Sequence, residues 1–253
     1  MIKTTGKNKY SLDCVDLVTV LGDIHGELRP IFDAVRRYDL KNCLIVQVGD
    51  FGYSFSGGIQ TEKDYVKSLK YLNKSLAARN NFVVALRGNH DNPKYFDGTL
   101  HYSNLLLAPD YSVLEVLGER WLLVGGAISI DRKKRVDGKT WWPDEGFMYD
   151  ASLMSCIDGP IDVVVTHTAM KESMDYEKAQ RNDIVDHFAQ KDQLLYQDLG
   201  MEQHAISSMF RHVRERFGPP RKAYNGHFHF YSKNECAGTT HVTVDIDQLV
   251  EHK

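Results

Sequence analysis

The chain has 253 residues, 42% of them hydrophobic, with a formal net charge of −3 and a pI near 6.4. That length can bury a substantial core, and no repeat, low-complexity tract or linker divides it, so a single domain over 1–253 is expected. The charge excludes a global basic footprint for nucleic acid or an anionic membrane, and no apolar run reaches the ~18 residues of a membrane span.

In chain order, 16–21 (DLVTVL) is a β-branched run that stops at Gly22 and predicts a strand, followed by helical spacing through Leu28, Ile31, Phe32 and Val35. The run 43–48 (CLIVQV) repeats the strand pattern and ends at Gly49-Asp50, and 62–79 predicts a helix with Tyr65, Leu69, Leu72 and Leu76 on one face. A third strand, 82–86 (FVVAL), runs into Arg87-Gly88-Asn89-His90, and 112–116 with 120–124 reads as a hairpin around Gly118. A polar loop over 129–147 carries Arg132, Lys133, Lys134, Arg135, Trp141 and Trp142, and a loop of that length inside a compact domain is more often functional or mobile than neutral. Strand 161–166 (IDVVVT) ends at His167. The stretch 170–217 is mainly helical in spacing, with Leu194, Leu195, Met201, Ile206, Met209, Phe210 and Val213 as core candidates, and Pro219-Pro220 ends it. Gly226-His227-Phe228-His229 follows, and 240–246 alternates well enough for a closing strand.

Nearly every chemically suggestive Asp, Asn and His falls just after a predicted strand, where the loops of α/β folds gather into a ligand crevice. Asp23 and His25 share a tight loop, Asp50 offers two oxygens that could bridge two cations, and Asn89 adds an amide oxygen beside His90. His167 alone would ordinarily be a satisfied core or surface histidine, and gains meaning only from this company. His227 and His229 are expected on one side of an extended segment, since side chains at i and i+2 point the same way. The set mixes nitrogen and oxygen without thiolate, which suits Mn²⁺, Fe²⁺ or Zn²⁺ and is too large for one ion. Two ions roughly 3.5–4 Å apart clamp the attacking and leaving oxygens of a phosphoryl displacement, and a water bridging them becomes a nucleophile near neutral pH.

The ordered set DxHG, GD, GNHD, H and GHxH, from Asp23 to His229, resembles the calcineurin-like metallophosphoesterase superfamily. The resemblance implies a two-sheet β-sandwich flanked by helices, with the site at one end of the strands. It also implies a first metal on Asp23, His25, Asp50 and His229, and a second on Asp50, Asn89, His167 and His227. The histidine matching His90 faces substrate in that family; protonating or stabilising the leaving oxygen and simple phosphate binding are both open roles for it.

The protein Ser/Thr phosphatase branch continues its second motif as GDxVDRG, where this chain has Gly49-Asp50-Phe51-Gly52-Tyr53-Ser54. Tyr53 replaces the downstream Asp, and the adjacent substrate-binding Arg is absent. GDFG, together with the WWPDE run, is instead similar to a little-described group of bacterial and phage-borne metallophosphoesterases. Arg132 and Arg135, with Trp142 and Tyr53 nearby, are therefore the substrate-binding candidates, since arginine grips phosphate bidentately and indole stacks on bases or sugars. The expectation is a phosphatase or phosphodiesterase for a phosphorylated small molecule or nucleotide-like substrate, most suited to Mn²⁺. A nuclease would call for a broad basic surface, and a silent scaffold would be expected to have lost ligands. Four scattered cysteines without CxxC spacing and an N-terminus without an apolar run make a reducing, cytoplasmic location the default.

Overall fold

The computed structural model describes residues 1–52, 62–174 and 182–253. Strands β1 (Lys3–Gly6), β2 (Lys9–Leu12), β7 (Ser112–Val116), β8 (Glu119–Val124), β9 (Val163–Thr166), β10 (Lys222–Asn225), β12 (Thr239–Thr243) and β11 (Ser232–Cys236) form one mixed sheet in that order. A second sheet has the order β13 (Leu249–Glu251), β3 (Leu17–Leu21), β4 (Cys43–Gln47), β5 (Phe82–Ala85) and β6 (Leu105–Leu107).

The two sheets pack face to face because their strands are apolar on both sides, as buried parallel strands require. Val18, Val20, Leu44, Val46, Phe82 and Val84 of the smaller sheet meet Leu114, Trp121, Leu123, Val163 and Val165 of the larger one. The alternate residues Leu21, Ile45, Val83 and Ala85 turn outward, under α1 (Arg29–Arg37) and α2 (Glu62–Ala77), which contribute Ile31, Leu69, Leu72 and Leu76. The outer face of the larger sheet is covered by α3 (Ala151–Ser155) and α5 (Leu195–Phe217), with Met154, Ile206, Met209 and Val213 on Leu122 and Val164. A further helix, α4 (Asn182–Ala189), precedes α5. The expected helix–sheet–sheet–helix layering is thus observed. No helix among the described residues is long and apolar enough to cross a membrane.

Two expectations need correction. Leu194 and Met201 are 58% and 60% exposed, because Leu195, Glu202, Ile206, Met209 and Val213 form the stripe of α5 that faces inward and both lie off it. The stretch from Gly226 to His229 is not extended: His227 and His229 adopt φ of 69° and 55°, so left-handed turns aim the pair, not strand alternation.

What matters for the site is strand register. Leu21 lies opposite Gln47 and Gln47 opposite Ala85, so β3, β4 and β5 end level. Across the sandwich Val124 lies opposite Thr166 and Val165 opposite Tyr224, so β8, β9 and β10 also run parallel to a common edge. The loops after five of these strands carry Asp23, Asp50, Asn89, His167 and His227.

Candidate metal centre

At that edge the donor atoms of Asp23, His25, Asp50 and His229 all lie within 4.8 Å of one another. His25 Nε2 is 3.3 Å from Asp50 Oδ2, and His229 Nε2 is 3.3 Å from Asp23 Oδ2. The other oxygen of Asp50 faces a second group: Oδ1 is 3.3 Å from His167 Nε2, which is itself 3.1 Å from Asn89 Oδ1. The His227 ring lies 5.0 Å from that of His167. Asp50 therefore stands between two clusters, one oxygen toward each.

The surrounding chain holds these atoms in place. His25, Asp50, His227 and His229 all have positive φ, between 44° and 69°. Four non-glycine residues in the left-handed region each carry a backbone cost of order 1 kcal/mol, a strain that concentrates where geometry serves a site. A Cβ at Gly88 would overlap Asp50 Oδ1, and one at Gly226 would overlap Asp23 Oδ1, so only glycine lets the carboxylates come this close. His167 Nδ1 lies 2.9 Å from the Val48 carbonyl, which can only accept, so Nδ1 carries a proton and Nε2 faces Asp50 and Asn89. Asn89 is oriented in the same way: Nδ2 donates to Ser129 Oγ at 3.0 Å, turning Oδ1 inward, while Ser129 N–H donates to Glu145 Oε1 at 2.7 Å.

The electrostatics describe a site short of positive charge. Asp23 and Asp50 are each 1% exposed, and their ion-pair partners are imidazoles. Burial would raise Asp50, yet His167 foremost and His90 after it hold the carboxyl well below the usual range. Burial disfavours a charged His167, but Asp50 and Asp23 outweigh it and lift the imidazole to about 9. Burial together with the neighbouring His167 keeps His227 well below the ordinary imidazole value, and burial lowers His90 to about 4 against the pull of Asp50. Two buried carboxylates whose ion-pair partners among the described residues are imidazoles, in a set of nitrogen and oxygen donors, fit divalent cations.

A model of the calcineurin-like phosphoesterase family matches residues 17–197, well over half of the chain. The chain belongs to that family. It is accordingly a metal-dependent phosphoesterase, a hydrolase of phosphoric ester bonds. Among solved structures, the phosphopantetheinyl hydrolase of Mycobacterium tuberculosis is similar at 13% identity and a TM-score of 0.45, over 93% of this chain and 96% of that one. The sulfate thiohydrolase SoxB of Thermus thermophilus is similar at 12% identity and a TM-score of 0.35, over 89% of this chain and 38% of that one. No curated protein matches the sequence significantly.

The cavity beside the site separates residues that the sequence groups together. A cavity of about 580 Å³ opens beside Asp50, Asn89, His90, His227 and His229. Arg135 lines it, with Nη1 and Nη2 each 3.1 Å from a ring nitrogen of His90 and Nε 2.7 Å from Asp131. Arg132 points elsewhere: its Nε and Nη2 lie 2.5 Å from Asp192 and Asp198, tying the loop to the helices. Trp142 is 6% exposed and packs inside the protein instead of facing the cavity. Of the three, only Arg135 lines the cavity. Tyr53 lies outside the described residues.

Two supporting residues were missed from sequence. Arg87, 6% exposed, donates to Asp110 and to the carbonyls of 144–146, pinning the loop that carries Glu145. Asp91 was visible within the GNHD motif, but nothing in the motif states what it holds. Exchange of the two loop arginines should have different consequences. Arg135→Ala is expected to raise KM for a phosphoester roughly tenfold or more, the worth of a charge-assisted contact. Arg132→Ala should instead cost about 1 kcal/mol of stability by taking the shared cation from Asp192 and Asp198. Steady-state kinetics and thermal melts of both variants check this, and a raised KM for Arg132→Ala alone would reverse the assignment.

Proposed function

We propose that this enzyme is a dinuclear phosphoester hydrolase, a phosphatase or phosphodiesterase for small or nucleotide-like phosphorylated molecules. The observation that carries the reading is Asp50, whose two oxygens each lie 3.3 Å from an imidazole of a different cluster. Asp23, His25, Asp50 and His229 would hold one ion, and Asp50, Asn89, His167 and His227 the other. Two divalent cations, Mn²⁺ in preference to Fe²⁺ or Zn²⁺, would supply Lewis acidity, lowering the pKa of a water and neutralising phosphoryl oxygens.

The chain does the positioning. His167 and Asn89 are held by Val48 and Ser129, which sets the orientation of their inward atoms. Arg135 offers a fork for a non-bridging phosphate oxygen, and its contact with His90 sets that ring at the mouth of the cavity, 3.8 Å from Asp50. His90, kept neutral by burial, would contact the leaving oxygen or bind phosphate. Four free cysteines suit a reducing compartment, consistent with a cytoplasmic enzyme.

Hydrolysis of p-nitrophenyl phosphate beside bis-p-nitrophenyl phosphate tests the reading, with protein stripped by a chelator and then reloaded with Mn²⁺. Turnover of at least one ester that disappears on stripping and returns on reloading is expected. A metal-loaded protein inert toward both would instead be a binding scaffold.

A further inference from the structure

We propose that the cavity beside the ligand set selects phosphoesters whose organic group is apolar or aromatic, a deepening that rests on the hydrolase reading of the same site. Ile130, Met174, Phe188, Leu199, Phe228 and Phe230 all line the cavity that Asp50, Asn89 and His90 open into. Each of the six is half-buried: one side packs on the protein and the other is left to the cavity. Single exposed apolar residues are ordinary, but six from five segments converging on one concavity mark a surface meant to be covered.

The apolar wall and the metal-facing imidazoles belong to one piece of chain. Phe228 sits between His227 and His229, its ring 5.0 Å from that of His227 and 6.3 Å from that of Phe230. Left-handed turns at His227 and His229 that aim the imidazoles at the carboxylates therefore leave Phe228 at the cavity wall beside them. Phe188 of α4 and Leu199 of α5 add to the apolar lining. A phosphoryl group at the ligand set fills only a small part of about 580 Å³, and the remainder is the size and character of a site for an organic molecule with few polar anchors. The two carboxylates in the lining are already engaged, Asp131 with Arg135 at 2.7 Å and Glu202 with the Phe147 N–H at 3.1 Å, and so neither invites a cationic organic group. The organic group that fits is uncharged and largely hydrocarbon.

Non-hydrolysable phosphonates separate this claim from leaving-group chemistry. Calorimetric binding of (2-naphthylmethyl)phosphonate and methylphosphonate to the Mn²⁺-loaded enzyme should favour the naphthyl compound at least roughly tenfold, from burial of its rings. Phe188→Ser and Leu199→Ser should each reduce that ratio about threefold or more, and the wild-type ratio stands as a test even if a variant fails to fold. Equal affinities in a protein that hydrolyses p-nitrophenyl phosphate would overturn the proposal and leave the hydrolase reading intact. Tighter naphthyl binding by a protein that hydrolyses neither nitrophenyl ester would support the apolar chamber and overturn the hydrolase reading beneath it.

Discussion

Asp50→Ala is expected to lower kcat/KM for any phosphoester substrate by at least about a thousandfold, roughly 4 kcal/mol of transition-state stabilisation. The size of the effect follows from position. Asp50 is the residue whose oxygens reach both clusters, so its removal opens each of them and leaves His25 and His167 without the carboxylate they share. It also removes the acceptor for the His90 backbone N–H, 2.9 Å from Oδ1, and so loosens the loop that presents Asn89 and His90. Asp50→Asn keeps the size and one acceptor oxygen but loses the charge and one side of the bridge, and it should fall nearly as far. Circular dichroism of both variants should match the wild type. A folded Asp50→Ala enzyme retaining activity within tenfold of wild type would remove Asp50 from the centre of the chemistry.

Asp91→Ala should produce the largest loss of stability among single changes near the site. The carboxylate is fully buried and accepts three backbone N–H groups: Phe51 at 3.0 Å, Gly52 at 2.6 Å and Gly88 at 2.8 Å. Phe51 and Gly52 follow Asp50 in the loop after β4, while Gly88 precedes Asn89 in the loop after β5. One side chain therefore ties together the two loops that carry Asp50 and Asn89. Alanine leaves three buried donors unsatisfied, at a cost of about 1 kcal/mol or more each. For a chain of this size that is a fall in Tm of roughly 6–12 °C. Activity should fall by about ten- to a hundredfold in the surviving folded protein, the usual effect of losing support behind metal ligands. Calorimetric melting decides it: a Tm within about 2 °C of wild type would show that the loops are held by other means.

How much of this was legible in the sequence depends on the reach of each signal. β3, β4, β5 and β9 are runs of apolar and β-branched residues ending in Gly, Asp or His, so both the strands and the chemistry at their ends could be read locally. Short edge strands were not readable. β11, Ser-Lys-Asn-Glu-Cys, buries only Ser232, and so it carries no apolar pattern to find. Arg132 and Arg135 look equivalent three residues apart, and what divides them is Asp192 and Asp198, 60 and 66 positions downstream of Arg132. Ser129 behind Asn89 and Asp91 behind Phe51 lie 40 positions from their partners and likewise leave no spacing signature. The aim of His227 and His229 comes from positive φ, a conformation that His tolerates more readily than most residues but that a sequence does not declare.

The most direct measurement of the central claim is anomalous diffraction from crystals grown with Mn²⁺, collected on both sides of the manganese absorption edge. Two peaks per chain are expected roughly 3.5–4 Å apart, with an oxygen of Asp50 on each and Asn89, His167 and His227 around the second. A single peak within Asp23, His25, Asp50 and His229, or two peaks that do not share Asp50, would contradict a bridged dinuclear site.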